Sequence, residues 1–174
     1  MASGDTLFIL NALNSTPPAT LYATFDTITE ASTPNAIIPV LDFDGSSDEH
    51  ADWHVVVPSH YAGTTGFTFK YTYAMDGTDA DLVELEFRVA KIVDTEIATA
   101  DQEIDIATAV AIQDTPVATV TANKVAVSPT GALAKADAGT PVAGEYIIIR
   151  CTRDVSAATN TDDLQLINVY VTET

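Results

Sequence analysis

The residue types that could do chemistry are few and poorly spaced for it. The three histidines are His50, His54 and His60. His50 and His54 have the H-x3-H spacing that presents two ligands on one side of a helix, but here the spacing runs from a loop into a β-patterned stretch. No cysteine or fourth ligand stands nearby, so a zinc centre does not follow. Ser59 and His60 are adjacent in sequence, and neighbours rarely reach the nucleophile-to-base geometry of acyl transfer. No nucleophile-elbow pattern surrounds them, and no phosphate-binding glycine loop occurs in the chain. Glu84 and Glu86 are the nearest approach to a glycosidase carboxylate pair, but they stand at i and i+2 on one strand face beside Arg88. Hydrolysis needs acids on opposite sides of a cleft, so an enzyme is not expected and no cofactor is implied.

Two acidic stretches could hold a hard cation. Asp42-Phe-Asp-Gly-Ser-Ser-Asp-Glu49 opens like a calcium loop, but its glycine is misplaced and its terminal bidentate acid is missing. Asp76-Gly-Thr-Asp-Ala-Asp81 carries three carboxylates around a turn signal. Both read first as hydrated turns. Tyr61 and Trp53 could stack on sugars, though packing in or against the core is the plainer use of both.

The elements that would position these groups are strands. Trp53, Val55 and Val57 alternate with His54 and Val56. After Gly66, Phe67, Phe69, Tyr71 and Tyr73 alternate with polar residues, placing four aromatics on one face. The spacing predicts a core-forming pair, 53–57 and 66–74, joined as a hairpin, with Asp76–Asp81 joining the second strand to the next. Over 82–93, Val83, Leu85, Phe87 and Val89 face one way and the two glutamates the other. Further strands are expected over 21–25, 36–43, 145–153 and 164–172. Pro39 makes the second of these an edge or a bulged strand. In Ile147–Ile149 and Leu164–Ile167 both faces are apolar, which predicts cover on both sides. Residues 94–114 read as a loop with one short element, 115–127 as β-rich, and 128–139 as holding one helical turn.

The expected fold is therefore all-β: a two-sheet antiparallel sandwich of jelly-roll type with about eight strands. Residues 1–20 are read as an extended N-terminal arm and 21–174 as one jelly-roll domain. Within the arm, Leu7, Phe8, Ile9 and Leu10 form an apolar run that could add as an edge strand to a neighbour or to its own sheet, and with Tyr61 they are the candidate interaction surface. At 174 residues and 47% hydrophobic content, the chain can bury a real core. Its formal charge of −18, with no basic side chain before Lys70, repels nucleic-acid backbones and anionic membranes. A single cysteine, Cys151, excludes a disulfide within the chain. No apolar run is long enough for a membrane helix, and the opening lacks the basic region of a signal peptide.

Several motifs, in order, carry a family resemblance. They are the opening MASGDTL, Tyr22-Ala-Thr-Phe-Asp26, Pro39-Val-Leu-Asp-Phe-Asp44, Trp53-x-Val-x-Val-Pro58 with His60-Tyr-Ala-Gly63, Gly144-Glu145 with Cys151-x-Arg153-Asp154, and the closing Leu164-Gln-Leu-Ile-x-Val-x-Val. Together they resemble small jelly-roll virion structural proteins of tailed bacteriophages. The resemblance implies a capsid cement or decoration protein, often a homotrimer, made in the host cytoplasm and bound to the major capsid protein on the outer capsid surface. The alternative it implies is a glycan-binding host-recognition module of a tail fibre or spike. It implies no catalytic residues.

Overall fold

The computed structural model describes residues 4–29, 36–92, 108–116 and 124–174. Eleven strands occur among them: β1 (Thr6–Asn11), β2 (Thr24–Thr29), β3 (Ile37–Phe43), β4 (Glu49–Val56), β5 (Gly66–Met75), β6 (Val83–Lys91), β7 (Ala109–Asp114), β8 (Ala126–Val127), β9 (Gly131–Ala134), β10 (Tyr146–Arg153) and β11 (Leu164–Glu173). They form two antiparallel sheets packed as a jelly-roll sandwich. The larger runs β2-β3-β11-β5-β8, with β1 also on β11 and β9 also on β5. The smaller runs β4-β10-β6-β7.

The core follows the alternation. Phe67, Phe69, Tyr71 and Tyr73 are all fully buried on the inner face of β5, opposite Val83, Leu85 and Phe87 of β6. Phe69 and Phe87 stack across the two sheets with centroids 4.9 Å apart. The expected hairpins do not form. β4 pairs with β10 and β5 with β11, so both the 57–65 and 76–82 connections cross between sheets. Alternation tells which face a side chain takes, not which strand lies beside it.

Pro39 sits where β3 has only β2 for a neighbour, since β11 pairs with residues 41–43 alone. This is the edge-like position that its missing N–H requires. The double apolarity of 164–167 has a different cause from the one expected. Pairing between β11 and β5 shifts register between Leu166 and Asn168. The extra residue inverts the phase, so Leu164 and Leu166 point inward before it and Val169 and Val171 after it. Ile167 then joins a small outer cluster with Ile28, Val40 and Ala74. Ile148 is buried on the outer face of β10 between its register partners His54 and Ala90.

The apolar run of the arm takes its own sheet and is not left free to clasp a neighbour. Thr6–Asn11 pairs with β11 of its own chain, because Leu7 and Leu10 fill the sandwich. Asn11 caps the 3-10 turn Ala12–Asn14, accepting from the Leu13 amide. The 128–139 stretch contains β9, followed by a turn at 135–139, in place of a helical turn alone. The one short element expected within 94–114 is edge strand β7 at Ala109–Asp114. The 93–107 and 117–123 parts of the two uncertain segments lie outside the described residues.

Cys151 is fully buried on the inner face of β10, and burial pushes its thiol well above the usual range. A thiol reagent is expected to leave the native protein untouched and to modify it fully once denatured. Fast labelling without denaturant would contradict this burial.

Candidate functional sites

The structure disperses the catalytic and metal-binding candidates. His50 Nδ1 lies 2.9 Å from Thr152 Oγ1, His54 Nδ1 lies 2.6 Å from the Tyr146 hydroxyl, and His60 Nε2 lies 3.3 Å from the Thr6 carbonyl. Each ring serves a separate local contact. Ser59 and His60 therefore do not compose a triad.

Glu84 and Glu86 do meet a third carboxylate, Asp154, their oxygens lying within 4.8 Å of one another. The sequence hid this meeting, because Asp154 arrives from the far end of β10. All three groups are already engaged. Gln113 donates to Glu84, Arg88 pairs with Glu86, and Asp154 accepts from the Ser156 and Ala157 amides at 2.9 and 3.2 Å. Glu84 and Glu86 share one face of β6, and Asp154 follows the end of β10.

The acidic loops converge at one end of the sandwich, where they bind one another. Asp163 Oδ1 accepts from the Gly45 amide at 2.7 Å, and Asp162 Oδ2 accepts from the Asp79 amide at 2.7 Å. Asp79 Oδ2 accepts from the Thr161 amide, and Asp76 Oδ1 from the Asp163 amide, both at 3.0 Å. The two Asp-Gly signals permit this closeness. A Cβ on Gly45 would stand 2.1 Å from the Thr161 carbonyl, and one on Gly77 would strike the Asp162 carboxylate. Beneath the loops, fully buried Arg153 donates to the Phe43 and Asn160 carbonyls at 2.9 and 3.1 Å.

Asp42 carries the cost of this crowding. Burial, then the carboxylates of Asp163, Asp26, Asp76 and Glu49, pushes it up to about 6. Its Oδ1 and the Oε1 of its register partner Gln165 are both buried without a donor. A carboxyl raised in the native state binds a proton that the unfolded chain does not, so stability falls as pH rises toward about 6 and the loss is complete above it. Burial also raises Glu49 and Asp76, with the same sign. Asp44 and Asp79 are held low by hydrogen bonds from Ser46 and Thr161 and oppose the trend only in stronger acid. The melting temperature is thus expected to be higher at about pH 5 than at pH 7. Asp42→Asn should raise it at pH 7 and flatten the profile between the two. A variant profile as steep as the parent's would refute the assignment.

The candidate interaction surface is largely internal. Leu7, Leu10 and Tyr61 are buried, Phe8 is half-buried against the core, and Ile9 alone is exposed. Tyr61 stacks on Phe67 at 5.3 Å and 7°. Its loop is fixed there by Glu173, which accepts from the Ala62 and Gly63 amides at 3.1 and 2.9 Å.

A concave site lies elsewhere, and the sequence reading missed it. Residues 15–23 run beside β4, held by backbone bonds from Thr16 to Asp52 and from Ala23 to His50, with His50 donating back to Leu21. Between this segment, β2 and β4 is a pocket of about 220 Å3. Tyr22 and Phe25, 46% and 58% exposed, stand at it with Ser15, Thr16, Pro17 and His50. The Tyr22-x-x-Phe25 pair was the available signal, but strand patterning gave no hint that it borders a hollow.

No protein-family model matches the chain, and no curated protein matches it. Among solved structures, CBM35 from Paenibacillus barcinonensis aligns over 96% of this chain and 99% of its own, with TM-score 0.53 and 14% identity. A carbohydrate binding module, CBM6cm-2, from Cellvibrio mixtus lichenase 5A, in complex with cellotriose, aligns over 98% and 99%, with TM-score 0.43 and 13% identity. The first of these likenesses is one of fold.

Proposed function

We propose that this protein is a virion structural component that acts by docking and not by catalysis, a decoration protein on the outer capsid of a tailed bacteriophage. One observation carries the reading. The groups that could react are each held in separate local contacts, whereas six of the twelve large apolar side chains that stand exposed among the described residues fall in the first forty: Ile9, Leu13, Leu21, Tyr22, Phe25 and Ile37. Such a surface suits contact with another body. The resemblance of the ordered sequence motifs to phage virion proteins favours a virion as that body, and the charge of −18 disfavours contact with packaged DNA. Its partner is then the major capsid protein. A homotrimer belongs to the same reading, although the doubly apolar strands no longer require a neighbour.

Purified protein should bind isolated empty capsids, and capsids lacking it should lose heat resistance. Binding to host cells or glycans with none to capsids would overturn the reading. Light scattering decides the trimer.

A second reading, a glycan-recognition module of a fibre or spike, is favoured by the Tyr22–Phe25 pocket. The fold likeness to a carbohydrate-binding module sets it in a suitable frame, but fold alone does not assign function.

A further inference from the structure

We infer that the pocket between residues 15–23, β2 and β4 binds one ring of an uncharged saccharide, with Tyr22 and Phe25 as its stacking platforms. This rests on the second reading above and gives it a place and a ligand class.

Four observations converge. First, the two aromatics stand exposed beside a concavity, although every aromatic of β5 and Trp53 of β4 is fully buried. A pyranose ring has an apolar face of C–H groups and a rim of hydroxyls, which an aromatic wall with a polar edge fits. Second, none of the described residues lining the pocket carries a formal charge, in a chain with 25 acidic side chains. An ionic ligand would find no counter-charge, and the protein's overall field repels anions. Third, hydroxyls edge the apolar wall. Ser15 and Thr16 lie at one side, and Ser15 Oγ, donating to the Ala12 carbonyl at 2.9 Å, keeps its lone pairs free to accept.

Fourth, the pocket is held ready. Leu21 has a φ of 52°, a left-handed conformation that a bulky residue adopts only when its surroundings enforce it. The enforcing bonds are the backbone pairs to β4, which fix Tyr22 between Leu21 and Ala23. A site pre-ordered in this way spends less of its binding free energy on loop ordering. The volume of about 220 Å3 suits a single ring and not a buried chain. A longer glycan would therefore be bound at one residue, with the rest in solvent.

The test is calorimetric titration with cello-, manno-, xylo- and isomalto-oligosaccharides, beside an oligogalacturonate of matching length. It is run on the parent and on Tyr22→Ala, Phe25→Ala and Tyr146→Ala. Tyr146 is an exposed aromatic on β10, paired with the end of β4 away from the pocket, so its variant tests an alternative platform. At least one neutral series should bind, with affinity falling roughly tenfold in each pocket variant and unchanged in Tyr146→Ala. Melting temperatures should stay near the parent's, since both pocket aromatics are exposed.

Glycan binding that survives both pocket variants, or falls only in Tyr146→Ala, overturns the site and leaves the glycan reading standing. Preference for the oligogalacturonate overturns the uncharged-ligand assignment. Binding to no saccharide, with a self-association that Phe25→Ala dissolves, makes the pocket an interface between copies. No binding of any kind removes both the inference and the reading it rests on, while the capsid-binding test stands apart.

Discussion

Replacing Trp53 by alanine is expected to lower the free energy of unfolding by about 3–5 kcal/mol. The indole is fully buried on β4, and its Nε1 donates to the Asn11 carbonyl at 2.9 Å. It therefore does two jobs. It fills the core beside β5, and it joins the last residue of β1 in one sheet to β4 in the other. Alanine opens a large cavity and also removes the donor from that carbonyl. Against a typical total of about 5–15 kcal/mol, the loss would bring the protein close to unfolding at physiological temperature. Trp53→Phe keeps most of the volume and gives up the hydrogen bond, so about 1–2 kcal/mol should go. Urea unfolding of the three proteins checks this. An alanine variant within 1 kcal/mol of the parent, a result of ordinary surface size, would mean the sandwich is not pinned at this point.

Arg153→Leu is expected to cost a similar amount, about 3–5 kcal/mol at neutral pH, for a different reason. Leucine fills part of the space but leaves the Phe43 and Asn160 carbonyls without their donors. It also removes the cation beneath Asp163, Asp44, Asp76 and Asp162, the carboxylates whose field acts on Arg153. Replacing a buried charge by a hydrophobe can be harmless when its partners go with it, but here they stay. The pH dependence distinguishes the two contributions. Asp76 and Glu49, raised by burial, are both drawn down by the Arg153 charge; losing that cation raises them further in the native state, so the variant should recover stability as pH falls from 7 to about 5 more steeply than the parent does. An equal deficit at both values would assign the whole effect to the carbonyls. Arg153→Lys keeps the charge and loses the fork, and should fall between.

What the sequence disclosed follows from the range of each signal. Period-two alternation placed the inward residues of β4, β5 and β6, because facing is a local property. It could not tell that β4 pairs with β10 and β5 with β11, since pairing is decided by residues some ninety positions away. Reading 57–65 as a hairpin was the natural error of a local rule. The bulge at Ile167 imitated a strand covered on both faces, because a one-residue insertion and a true double burial give the same letters. Whether Tyr61 and the apolar run at 7–10 were core or surface stayed open in the sequence for want of knowledge of Glu173 and β11, which draw them in. The meeting of Asp154 with Glu84 and Glu86, and the burial of Arg153 under three loops, are likewise products of topology. The pocket at Tyr22 and Phe25 depends on a backbone turn at Leu21 that no composition rule anticipates.

The position of β11 bears on how the chain is made. One edge of this strand is shared by β3 and β1, and the other is taken by β5. Until residues 164–173 leave the ribosome, the larger sheet has no centre, and three earlier strands wait with open edges. Folding of the larger sheet is then a closing event that waits for β11 and not a progressive one, with the slow kinetics that distant pairings impose. An acidic chain is well suited to that interval, because like charge keeps waiting copies apart when their unpaired strands would otherwise join. A stop codon before residue 164 should give a chain that never becomes protease-resistant.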